Sequence, residues 1–166
     1  MSEAGAEGMV RFRVGRCDLS IEVGAVEEVI RLGGVADMKR HIPGVQGAIP
    51  YRGRVVPVIA LGRILDIPGG EPTRAIVARG RGVRVALGVE DVVGLYERPQ
   101  APAEVPGAFG IRSGVIREFH NIGDGIVGWL DLERVFSEHD WEGFRSLAEI
   151  GTDGLLGDST LEILGY

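Results

Sequence analysis

A chain of 166 residues with 45% hydrophobic and 25% charged residues has ordinary globular composition, is long enough to bury its own core, and is expected to form one domain. Its longest apolar runs, such as Val55-Val56-Pro57-Val58-Ile59-Ala60-Leu61, fall far short of the roughly 20 residues of a membrane-spanning helix, and the opening MSEAGAEGM lacks the basic and apolar regions of a secretory signal, which points to the cytoplasm. The net charge of −6 comes from the far end, where residues 136–166 hold seven acidic residues and only Arg145; the balanced body lacks the basic footprint of a nucleic-acid-binding domain.

From Met9 to Ile30 the alternation in VRFRVG, LSIEV and VEEVI predicts two strands joined by a turn at Gly15-Arg16-Cys17-Asp18, then a third. Gly33, Gly34 and Pro43 break residues 31–45 into a loop with room for one helical turn. Strands are expected over residues 47–51 and 54–61, paired through Arg52-Gly53-Arg54, where glycine supplies a positive φ. Pro50 and Pro57 lack an amide donor, so each is placed at an edge or facing away from the ladder. A short helical turn over Gly62–Asp66 precedes the connector Pro68-Gly69-Gly70-Glu71-Pro72, which divides the chain into two strand-rich halves.

The second half repeats the style, with strands over 75–78, 83–89 and 92–96, an extended proline-rich loop over 99–106, and a hairpin of 115–119 with 126–130. Asp131 is a plausible N-cap for a helix to about Ser137. The count is ten short strands in two groups of five, hence an all-β fold. Trp141, Phe144, Leu147, Ala148 and Ile150 have helical spacing and predict a helix docked on the body, followed by a mobile acidic tail.

Catalytic and cofactor signatures are absent from the sequence. His41, His120 and His139 are scattered without a metal-ligand pattern, and the single Cys17 reads as half-buried filler. GGVADMKRH has neither the spacing nor the Ser or Thr of a phosphate loop, and Ser113 is not in a nucleophile elbow. The pairs Glu27-Glu28 and Glu90-Asp91 are strand neighbours that point to opposite faces. Arg74, Arg79, Arg81 and Arg84 read as the solvated rim of a hairpin, with a phosphate-binding patch as the alternative. No catalytic residue, cofactor or metal is expected; a binding module fits better than an enzyme.

Taken in order, FRVG, IEVGAVEEVI, YRGRVVPVIALGRIL, VRVALGVEDVVGL and GIVGWLDLERVF resemble the CheW-like domain, the adaptor module of bacterial chemotaxis systems. The resemblance implies a domain over residues 9–138, built of two five-stranded β-barrels around a shared hydrophobic core. Its subdomains fall at roughly 9–67 and 72–130, with a closing helix near 131–137 and an acidic helix and tail over 139–166. It also implies a non-enzymatic coupler that joins the cytoplasmic tip of a chemoreceptor to a CheA-type histidine kinase, whose regulatory domain is a relative of this fold and packs against it edge to edge.

Matched residue by residue, Val26 and Glu28 fall beside the receptor contact, Val85 and Ala86 line a groove between the barrels, and Arg52 with Gly53 forms the coupling hairpin. Plainer readings make Val26 and Val85 core, Glu28 a solvated charge, and Arg52 a turn residue; if Arg52 is buried and paired, its loss should cost roughly 2–5 kcal/mol. Pro50, Ala60 and Glu90 stand where the resemblance would place Asn, Asp and Asp. Pro50, Ala60 and the acidic tail motivate a second reading, a specialised regulatory domain that binds only one of the two partners or a small ligand.

Overall fold

In the computed structural model, which describes residues 8–33, 35, 44–104 and 114–149, ten short strands alternate with tight turns. They are β1 (Gly8–Val14), β2 (Cys17–Glu22), β3 (Val26–Arg31), β4 (Val45–Tyr51), β5 (Arg54–Ala60), β6 (Arg74–Gly80), β7 (Val83–Val89), β8 (Asp91–Glu97), β9 (Ile116–Ile122) and β10 (Gly125–Leu130). A 3-10 turn spans Val23–Ala25, and the helices are α1 (Leu61–Ile64), α2 (Leu132–Val135) and α3 (Glu138–Ala148). Two hairpins turn on Arg-Gly pairs, with φ of 49° and 76° at Arg52 and Gly53 and of 50° and 77° at Arg81 and Gly82. Positive φ at both central residues is what the tightest hairpin turn requires.

The strands form two five-stranded sheets, β8-β1-β2-β10-β9 and β3-β6-β7-β5-β4. Neighbours run antiparallel except β2 with β10 and β5 with β7. This corrects the expected division at 68–72. Each sheet draws strands from both sides of that connector, because the chain changes sheets at the 3-10 turn after β2 and again at Glu90 between β7 and β8. Both crossings are short and carry no run of Pro and Gly, whereas the conspicuous connector joins two parts of one sheet.

One face of each sheet contributes to a shared core. Phe12, Val14, Leu19, Ile21 and Leu130 from the first meet Ile59, Ile76, Val85, Leu87 and Val89 from the second. Alternation then sends Val56, Val58, Ala75, Val77 and Ala86 to the other face of the second sheet, where they form a separate cluster with Ile49 and Tyr51. The expected closed barrels are instead open sheets. Ala103 donates its backbone N–H to the Phe119 carbonyl, so the segment after β8 occupies the β9 edge that closure would need. Side chains span the gap instead: Tyr96 of β8 bonds His120 of β9 at 2.7 Å, and Arg98 reaches Glu118 at 2.9 Å.

Both prolines meet the donor constraint. Pro50 lies in edge strand β4, and Pro57 precedes the β5–β7 pairing, which begins at Val58. The Asp131 side chain caps α2, and a reciprocal capping box between Ser137 and Asp140 starts α3. α3 docks as its spacing predicts, with Trp141, Phe144 and Leu147 buried in the shared core. The helical turn expected within 31–45 and the tail from Ile150 onward lie outside the described residues.

Candidate functional site

Glu27 and Glu28 sit at a β-bulge where β3 pairs with β6: Val26 opposes Ala78 and Glu28 opposes Val77, which leaves Glu27 as the extra residue. The bulge breaks the simple alternation expected of neighbours, and both acids come to lie around Tyr51. Glu28 accepts a hydrogen bond from the Tyr51 hydroxyl at 2.8 Å and pairs with Arg52 at 3.6 Å. Glu27 accepts from Arg79 at 2.8 Å and Arg84 at 2.7 Å, while Arg52 and Arg84 both approach the Tyr51 ring. Burial raises the Glu27 carboxyl pKa, but Arg79 and Arg84 outweigh it and hold the group below the usual range. Burial and the bond to Glu28 push the Tyr51 phenol up.

The expected site residues divide. Glu28 and Arg52 meet, with Gly53 at the exposed hairpin tip, and Val26 is half-buried against the shared core. Arg52 is 62% exposed, so the premise of a buried fork is not met. Val85 and Ala86 have no exposed surface at all: Val85 enters the shared core beside the α3 side chains, and Ala86 enters the second cluster. They therefore cannot line an open groove. A cleft of about 610 Å³ does open between the sheets, lined instead by Gly24, Ala25, Arg79, Arg117, Asp131 and Glu133 among others, and its walls are mainly charged. α3 lies against β5 and β7 and contributes nothing to that lining.

Two further features escaped the sequence. Among the described residues, the exposed large hydrophobics are Val23, Val29, Val93 and Leu95. They lie in and just before β3 and along β8, which are edge strands of different sheets. Alternation in β8 was readable, but its outward face could be known only once its partner strand was known. Behind β8 lies a buried polar chain. The hydroxyls of Ser20 and Tyr96 bond at 2.8 Å, Tyr96 bonds His120 Nδ1, and His120 Nε2 lies 2.9 Å from Glu118, with His120 and Ser20 fully buried. Arg98 and then His120 hold the Glu118 carboxyl below its ordinary value against the effect of burial. This chain ties edge strand to edge strand. Burial and Asp18 push the Cys17 thiol up, away from the reactive thiolate.

Among the described residues no group of three or more His, Cys, Asp or Glu side chains is placed to hold a metal ion, and no helix is long and apolar enough to cross a membrane. A family model of the CheW-like domain matches residues 8–140. The chain belongs to the CheW-like domain family. It is 28% identical over 137 residues to the chemotaxis protein CheW of Thermotoga maritima, covering 78% of this chain and 87% of that protein. Its fold is similar to the crystal structure of the scaffolding protein TtCheW from Thermoanaerobacter tengcongensis. The TM-score is 0.72 at 18% identity, over 81% of this chain and 90% of that one. The two five-stranded sheets are thus those of the CheW fold.

Proposed function

We propose that this CheW-like chain, a chemotaxis coupling adaptor, joins a CheA-type histidine kinase to the cytoplasmic tip of a chemoreceptor through surfaces on opposite sheets. The observation that carries this reading is the division of exposed apolar side chains between two edge strands. Soluble proteins seldom leave such side chains beside unpaired strand edges unless something covers them. Val93 and Leu95, flanked by Asp91 and Glu97 on the outward face of β8, suit edge-to-edge packing with the related regulatory domain of the kinase. Val23 and Val29, beside the charged cleft and the Glu28–Arg52 hairpin site, suit a helical receptor tip, with Val26 as support and Val85 and Ala86 as buried scaffold. The reading places the protein in the cytoplasm, recruited to receptor arrays, and it assigns the chain no catalysis, no cofactor, no nucleic acid and no membrane insertion.

Reconstitution with a CheA-type kinase and a receptor signalling fragment tests it. Co-sedimentation as a ternary complex, with receptor-dependent kinase autophosphorylation that Arg52→Ala weakens, is the expected result. The charged walls of the cleft favour a second reading: a regulatory domain that keeps one partner or binds a small polar ligand. Binding to only one of the two proteins, with kinase activity unchanged, would select it.

A further inference from the structure

A second cleft, of about 170 Å³, opens where the start of β5, the β6–β7 hairpin and the last turns of α3 meet. Its rim carries Arg54, Arg79, Arg84 and Arg145, and Val83 and Ala148 form part of its apolar wall. Two of these guanidiniums already hold a carboxylate between them, since the Nε atoms of Arg79 and Arg84 donate to the two oxygens of Glu27. The same contacts fix the arginines. Arg84 lies over the Tyr51 ring, Arg79 also donates to the Gly82 carbonyl, and Arg145 is anchored on the Arg81 carbonyl at 3.2 Å. Among the described residues, neither Arg54 nor Arg145 has a carboxylate within ion-pair distance, and both are exposed. The rim therefore sets four guanidiniums against one carboxylate in a chain whose net charge is −6.

We propose that this cleft docks an acidic peptide segment of a partner protein, whose carboxylates pair with Arg54 and Arg145. Arginine guanidiniums suit carboxylates, and beside the cleft the Nε donors of Arg79 and Arg84 each already hold one oxygen of Glu27. The donors are side chains from four elements, β5, β6, β7 and α3, rather than the successive backbone N–H groups of a phosphate nest. An apolar wall beside the arginines also suits the carbon stem of an acidic side chain. The surface involves neither Val29 nor the β8 edge, although Arg79 lines both this cleft and the larger one.

The test is fluorescence anisotropy of a fluorescein-labelled hexaglutamate peptide with the full chain. Binding is expected at about 50 mM salt and should fade at about 0.5 M as the charges are screened. It should weaken about tenfold in Arg54→Glu/Arg145→Glu at an unchanged unfolding midpoint, and hexaglutamine should not bind. Should that variant misfold, Arg54→Gln/Arg145→Gln makes the same comparison without charge reversal. Equal affinity in a folded variant would overturn the proposal. So would tighter binding of inorganic pyrophosphate, or of vesicles containing about one-third phosphatidylglycerol, with the same dependence on the two arginines, because the cleft would then be a phosphate site.

Discussion

Glu118 is the acid on which the buried polar chain of the first sheet depends. It accepts from both Arg98 nitrogens and from His120, and these donors depress its pKa in the folded state. Glu27 is depressed likewise between Arg79 and Arg84. A carboxyl with a lowered folded pKa stabilises the protein above its unfolded value and loses that contribution as pH falls through the folded value. Urea unfolding midpoints should therefore stay level near neutrality and drop below about pH 4.5. Glu118→Gln should cost about 1–3 kcal/mol at pH 7, since it weakens the partner of a fully buried histidine, and should flatten part of the acid slope. Arg52→Ala should behave differently. With Arg52 exposed and 3.6 Å from Glu28, the stability change should stay below about 1 kcal/mol, so any larger loss of partner binding reports on contact rather than folding. At this scale the sequence showed Glu28 and Arg52 but not their meeting, because only the β3 bulge and the β4–β5 hairpin bring them together. The role of His120 was hidden, since its partner Tyr96 and, beyond it, Ser20 are distant in the chain; only Glu118, two residues away on the same strand, is local.

α3 shows how far local pattern reaches at the scale of an element. The spacing of Trp141, Phe144 and Leu147 correctly predicted a docked helix, because apolar periodicity already encodes a buried face. The pattern did not show what receives it. Trp141, Phe136 and Phe144 pack edge to face, and a Cβ at Gly80 would lie 2.4 Å from the Trp141 ring. Trp141→Ala should cost about 3–5 kcal/mol and Gly80→Ala about 1–3 kcal/mol, both measurable by chemical unfolding. The glycine was legible only as part of a turn; its close approach to the indole is a tertiary fact. Glu90 is similar. It departs from the residue expected there, yet its carboxylate accepts the N–H groups of Gly15 and Gly70 and so pins the connector to the β1–β2 turn.

For the whole molecule, the strand count was legible from alternation and turn residues and the shared core from the family resemblance, while the assignment of strands to sheets was not. β3 follows β2 by three residues yet pairs with β6, a choice made by long-range burial that leaves no local signal. That rearrangement places the two exposed apolar edges on different sheets, and the adaptor account rests on their independence. The most direct test is co-sedimentation of the full chain, Val29→Asp and Leu95→Glu, each with the kinase regulatory domain and the receptor fragment separately and then together. The account predicts that Leu95→Glu loses the kinase but keeps the receptor, that Val29→Asp does the reverse, and that neither variant forms the ternary complex. Loss of both partners in either folded variant, or of neither in both, would contradict it.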